Sequence, residues 1–170
     1  MTEPAAYSDD LENIPNSDEL LRRIHPTWVV PDELLGSRLT SQAFEDTRKP
    51  QKSPCSVSVR RLAPPLDALM AKYPDRSFAG LSAEFARSQQ QGICLWPAEG
   101  EPGHAYLHGP KSSAIKNALA KQAKYLGGPR AWPIEGDAPQ AQPPLVASHE
   151  LHAPQVQQTT PPTPPGSDLP

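Results

Sequence analysis

Twenty-three of the 170 residues are proline, and their placement limits the fold more than any other feature of the chain. Proline fixes φ and lacks an N–H, so neither a helix interior nor a central strand runs through it. From residue 127 onward there are 11 prolines in 44 residues, ending in QQTTPPTPPGSDLP. The apolar residues scattered there (Trp132, Ile134, Leu145, Val146, Leu151, Val156) show no period and cannot repay the entropy of ordering. This predicts a Pro-rich disordered tail over 128–170 with polyproline-II bias near 161–165. Such a tail either only solubilises or offers a ligand to an aromatic-groove domain. Residues 1–18 read as an acidic flexible segment.

A domain over 19–127 remains, long enough for one modest core. Its prolines cut it into short pieces, which predicts an α+β domain with a short mixed sheet and about three helices. ELLRRIHPTWVV (19–30) predicts a strand or short helix near 20–25 and then an extended turn, because Pro26 stops any longer helix. SRLTSQAF (37–44) is ambiguous. CSVSVR (55–60) alternates, with Cys55, Val57 and Val59 on one face, and predicts a half-buried strand. LDALMAKY (66–73) has a helical apolar stripe that Pro74 ends. In SFAGLSAEFARSQQQG (77–92), Leu81, Phe85 and Ala86 have helical spacing, with Ser77 or Ser82 as cap and Gly92 as left-handed stop. ICLW (93–96) and HAYLH (104–108) predict strands. KSSAIKNALAKQAKYL (111–126) predicts a helix capped by Ser112 or Ser113, buried through Ile115, Leu119 and Leu126 and stopped at Gly127.

Net charge is −3, yet it is unevenly spread. The first 21 residues hold six acids and no base, 102–130 hold five bases and no acid, and 131–170 hold four acids. No apolar run approaches the ~18 residues a membrane helix needs, and the N-terminus has no secretory pattern. Cys55 and Cys94 form neither a paired-Cys metal motif nor a disulfide framework. These features predict a cytoplasmic protein with no membrane partner, no metal and no cofactor.

The segments LLRRIHPTWVVPD, SQAFED, CSVSV, FAGLSAEFAR and GHAYLHGPKSSAIKNALAK, in that order, resemble a set of short bacterial cytosolic proteins with no established activity. In that set an Arg-rich opening and a VVPD turn precede an SSxAF segment, an SVD strand and a final strand–helix. The likeness covers about residues 19–126 and neither tail. Val59 stands where those proteins carry the acid of SVD, so no acid chemistry carries over there. The resemblance implies a bacterial cytosolic origin and no activity.

Two constellations are candidates for chemistry. HAYLHGPKSS (104–113) puts His104, Tyr106 and His108 on one strand face and delivers Lys111, Ser112 and Ser113 to a helix N-terminus. Free N–H groups, a hydroxyl and an ammonium there can hold a phosphate, and the imidazoles can move protons. The same residues also suit a plain N-cap beside a solvated strand face. His104 and His108 lie about 13 Å apart along a strand, too far for one metal ion. The second is Arg23 with Ser41 and a later His104 or Glu84, which resembles the Arg and Ser that hold the dinucleotide in ADP-ribosyltransferases. No spacing enforces that set, and Arg22-Arg23 also suits a solvated edge. Lys111, Lys116, Lys121 and Lys124 are smeared around their helix, which makes nucleic acid a weaker partner than protein. The reading that follows is a small binding or accessory protein acting through a protein partner. Its rival is a small nucleotide- or phosphate-binding enzyme centred on Arg23, Ser41, His104 and Lys111, which requires those four side chains to converge.

Overall fold

Strand pairing organises this chain around its first strand. A computed structural model describes residues 7–48 and 52–133, all within one compact unit spanning Met1–Ala138; a second unit, Pro139–Pro170, lies outside the described residues. The elements run β1 (Glu19–Ile24), β2 (Val29–Asp32), β3 (Gly36–Leu39), β4 (Cys55–Val59), α1 (Leu66–Lys72), β5 (Ser77–Ser82), α2 (Ala83–Ser88), β6 (Gly92–Leu95), β7 (His104–His108), α3 (Ser113–Gln122) and β8 (Lys124–Gly127). Three-residue or four-residue 3-10 turns occupy Pro26–Trp28, Ser41–Phe44 and Arg60–Leu62. Six strands form one antiparallel sheet in the order β6-β7-β4-β1-β5-β8, and β2 and β3 make a separate ribbon. The α+β class expected from the sequence is the one that forms.

Alternation explains β4 and β7. In β4, Cys55, Val57 and Val59 are buried while Ser56 and Ser58 are only partly covered. In β7, Ala105 and Leu107 are buried and His104, Tyr106 and His108 face the other way. Helix α1 ends before Pro74 as its stripe requires. The segment 77–92 departs from expectation. Residues 77–82 form β5, a strand between β1 and β8 with five of its six residues buried, so both faces are apolar and the period of two is erased. Only 83–88 is helical, with Ser82 as its cap accepting from the Phe85 N–H. The left-handed residue after it is Gln90 (φ 60°) rather than Gly92, which begins β6. Helix α3 likewise stops at Gln122, because 124–127 pair with β5 as an edge strand. Leu126 therefore leaves the helical stripe, and Leu119, Ala120 and Ala123 carry the burial.

The sheet has two unlike faces. On one, Leu20, Ile24, Val57, Val59, Leu81 and Leu107 meet α3, α2 and the Ala43–Phe44 turn to form the core. Among the described residues, the other face is covered at its β5–β8 end, where Leu66 and Met70 of α1 lie against Gly127, and at its β7 end, where Tyr7 packs on Tyr106 and His108. Between these two covers, Ser56, Ser58 and His104 stay partly exposed.

Both expected boundaries of the folded domain move outward. Ile14 is fully buried in the core, so ordered chain begins before Glu19. Asp9 accepts from the Ile93 N–H (2.9 Å) and Asp10 N–H donates to the Ile93 carbonyl (2.8 Å), which blunts the open edge of β6. The Asp9 carboxylate is also held in a forked ion pair by Arg87. At the other end Trp132 is buried, and its indole N–H donates to the Ala123 carbonyl (2.9 Å). A lone tryptophan has no periodicity to reveal it, so the segment 128–133 is part of the fold and the expectation of a tail beginning at 128 is corrected. The tail expected over 134–170 lies outside the described residues.

Trp132→Ala should cost about 3–5 kcal/mol and Leu119→Ala about 2–5 kcal/mol in urea unfolding, because each empties a fully packed site. A loss below about 0.5 kcal/mol in either variant, the range of surface sites, would mean that side chain does not pack as described.

Acid should weaken the docking of residues 7–14, in which Tyr7 packs on His108 and Asp9 pairs with Arg87, in two steps. Burial lowers the His108 imidazole below 6.5, so its contribution is complete above that pH and falls away as pH drops toward the folded value. For Asp9, burial pushes upward but the Arg87 pair and the Ile93 N–H outweigh it and hold the carboxyl below 3.8. Its contribution is therefore complete above 3.8 and is lost as pH falls through the lower folded value. Thermal midpoints measured from neutral to acid pH should decline in both windows, and Asp9→Asn should flatten the lower one. A midpoint constant across both windows rules this account out.

Candidate functional site

The open sheet face carries a dyad. Register pairs Ser58 with His104 and Ser56 with Tyr106, so Ser56 reaches its neighbour's imidazole diagonally. Ser56 Oγ lies 2.8 Å from His104 Nε2, and His104 Nδ1 lies 2.8 Å from the Trp96 carbonyl oxygen. A carbonyl can only accept, so in the neutral ring the proton sits on Nδ1 and Nε2 accepts from the Ser56 hydroxyl. The Trp96 N–H in turn donates to the His104 carbonyl (2.9 Å), fixing the two peptide groups against each other. This is a hydroxyl hydrogen-bonded to a base whose tautomer is set by a third group.

The dyad sits in a shallow groove of about 90 Å³ that Leu21, Arg23, Ser58, Tyr73, Phe78 and Glu101 also line. Arg23 is exposed, and its guanidinium carbon lies 4.2 Å from the centroid of the Tyr73 ring, a cation–π contact at the end of α1. The Tyr73 hydroxyl donates to Glu101 (3.3 Å). Arg22 points to the core side instead, donating from Nε to the Ala43 carbonyl (2.7 Å) and from Nη1 to the Ser56 carbonyl. An aromatic cluster flanks the dyad. Tyr106 lies edge-on to His104 (4.9 Å) and to Tyr7 (5.3 Å), and Trp96, 49% exposed, completes it.

Of the residues the sequence singled out, Arg23 and His104 line the groove together. Ser41 does not; it opens the 3-10 turn whose Ala43 and Phe44 enter the core. Glu84 lies exposed in the first turn of α2. Lys111 is also elsewhere. Its side chain is only 10% exposed, and the ammonium donates to the Gln91 side-chain oxygen and the Leu107 carbonyl (3.0 Å), with Asp46 at 3.5 Å. Burial lowers its pKa from 10.5, against the pull of Asp46. Ser112 is the cap of α3, accepting from the Ile115 N–H, and Ser113 is the first helical residue. The expected anion site thus has its cation turned inward onto the protein's own acceptors. The four side chains required for the enzyme reading do not converge, since α3's N-terminus and the groove line separate clefts.

Ser56, Tyr73 and Glu101 went unrecognised as site residues in the sequence. The alternation of CSVSVR did carry a signal for Ser56, by placing it on the polar face, but its partner depends on cross-strand register. Among the described residues no three His, Cys, Asp or Glu side chains gather as metal ligands, and no helix is long and apolar enough to cross a membrane. A larger cleft of about 640 Å³ lies between the β2–β3 hairpin and α3, lined by Leu34, Leu35, Leu39, Ala120 and Trp132. Its lining is largely apolar and holds no dyad. No protein-family model, no curated protein and no solved structure matches the chain. The groove therefore stands on its own chemistry.

Lys111→Ala should cost about 1–3 kcal/mol in urea unfolding, because the side-chain oxygen of the buried Gln91 loses its donor. A change within about 0.5 kcal/mol would show the ammonium to be exposed in solution.

Proposed function

We propose that this protein is a small-ligand-binding domain whose groove takes a compact molecule bearing a carboxylate or phosphate. The observation that carries this reading is the exposed Arg23 guanidinium, held on the Tyr73 ring beside the oriented Ser56–His104 pair. A planar fork of donors suits either anion, and the ring restricts it before the ligand arrives. Groove volume limits the buried part of the ligand to the anionic group and a few further atoms. Glu101, on Tyr73, disfavours a second negative charge at that end. This is the phosphate-binding alternative drawn from the sequence, re-centred from Lys111 onto Arg23. The two unpaired cysteines suit a reducing compartment, which supports a cytoplasmic setting.

A protein partner is the second reading, favoured by one separate observation. Leu34 is 93% exposed at the tip of the β2–β3 hairpin, beside the apolar 640 Å³ cleft. Large exposed apolar side chains beside an apolar cleft mark interaction surfaces.

Titration with inorganic phosphate and with propionate, followed by amide NMR, distinguishes the two. Saturable shifts should appear at Arg23, Ser56, Ser58 and His104, and Arg23→Ala should weaken binding about tenfold or more while leaving stability nearly unchanged. Unmoved amides at millimolar concentrations of both anions would exclude the groove and leave the hairpin as the functional surface.

A further inference from the structure

We propose that Ser56 is a nucleophile and His104 its general base, so that the groove performs acyl transfer from small carboxylic esters. The inference rests on the groove being the ligand site. Three observations combine. The Ser56 hydroxyl lies within hydrogen-bond reach of Nε2, the Trp96 carbonyl occupies Nδ1, and both side chains are partly open to the groove. With Nδ1–H committed to a carbonyl, the free lone pair of the ring is aimed at the hydroxyl proton and at nothing else.

The chemistry balances without any group from outside. As Ser56 Oγ bonds to the ester carbonyl carbon, its proton passes to His104 Nε2 and the carbonyl electron pair moves onto oxygen. Collapse of the tetrahedral intermediate breaks the bond to the leaving alkoxide, which takes the proton back from Nε2. Water then attacks the acyl-Ser56 ester while Nε2 accepts a water proton. That proton goes to Oγ as the acyl–oxygen bond breaks, releasing a carboxylic acid and restoring the dyad. Arg23, a cation lining the same groove, supplies positive charge for the oxyanion or for a carboxylate on the substrate.

Two positioning features hold the nucleophile. The Arg22 guanidinium binds the Ser56 carbonyl, fixing the strand segment behind Oγ. The Trp96 carbonyl orients the imidazole but, being neutral, stabilises the imidazolium less than a carboxylate does. Loss of the proper charged partner in a Ser-His-Asp triad lowers turnover about 10⁴-fold. Acylation should therefore be slow and the acyl-enzyme long-lived, so the covalent adduct is the quantity to measure.

The full chain should be incubated with p-nitrophenyl acetate and, separately, with p-nitrophenyl hemisuccinate, whose free carboxylate can meet Arg23. Intact-mass spectrometry should show one acyl group per chain, peptide mapping should place it on Ser56, and one equivalent of nitrophenolate should appear. Ser56→Ala should abolish the adduct, Ser56→Cys should retain one, and His104→Gln should slow its formation about 100-fold or more. Ser88→Ala and Cys94→Ala, which remove a hydroxyl and a thiol that do not line the groove, should leave it intact. Circular dichroism of each variant checks that the fold survives. Absence of any adduct, or an adduct that persists in Ser56→Ala, overturns the nucleophile. The anion titration then reports separately on the groove, since binding of phosphate does not require Ser56 to react. An adduct on Ser56 formed equally fast from both esters keeps the nucleophile and removes Arg23 from substrate selection.

Discussion

The Arg22 guanidinium stands where the ladder between β1 and β4 ends. Those strands pair at Leu20 with Val59 and Leu21 with Ser58, and past that point the guanidinium bonds the Ser56 and Ala43 carbonyls in place of a strand. By alternation Arg22 shares a face with the fully buried Leu20 and Ile24. A charge on the core side persists only when its donors are satisfied, and removing it would strand two carbonyls. Trp28 lies 5.2 Å away and shields it further. This one side chain thus joins β1, the Ala43–Phe44 turn and the strand bearing Ser56.

Beside that junction, the Ser56 hydroxyl reaches diagonally from β4 to His104 on β7, a contact set by the β4–β7 register, while Arg23 points to the opposite side from Arg22. Consecutive arginines on a strand have opposite duties here. One is an internal strut bonded to backbone carbonyls; the other is exposed on the Tyr73 ring. Helix α1 supplies that ring and covers the β5–β8 half of the face, which gives the groove its second wall.

Edge protection uses short pieces of chain rather than extra strands. Residues 9 and 10 satisfy both backbone groups of Ile93 on β6. Beyond β8, Ser77 Oγ donates to the Arg130 carbonyl (2.8 Å) and accepts from its N–H (3.0 Å), and Trp132 closes over Ala123. A small domain has few apolar residues to spend, so single side chains such as Ile14 and Trp132 complete the core from outside the regular elements.

Legibility in the sequence tracked the number of faces an element buries. β4 and β7 bury one face, and their alternation in CSVSVR and HAYLH was readable residue by residue. β5 buries both faces, so SFAGLS lost its period and resembled the start of the helix that follows it. Ile14 and Trp132 are isolated apolar residues among polar ones, and no local pattern distinguishes a docked residue from a solvated one. The site divides in the same way. His104 and Arg23 were visible as residues of the right chemical type, and Ser56 was visible as an outward residue of a strand. What brought them together was cross-strand register and the diagonal reach from Ser56 to His104. What removed Lys111 and Ser41 was the burial of one ammonium on Gln91 and the packing of one turn into the core. Local periodicity and proline placement by themselves determined the α+β class and the strands β4, β6 and β7. Only the tertiary structure decided which polar side chains meet, because hydrogen-bonded pairs form across strands distant in sequence, where spacing along the chain carries no information.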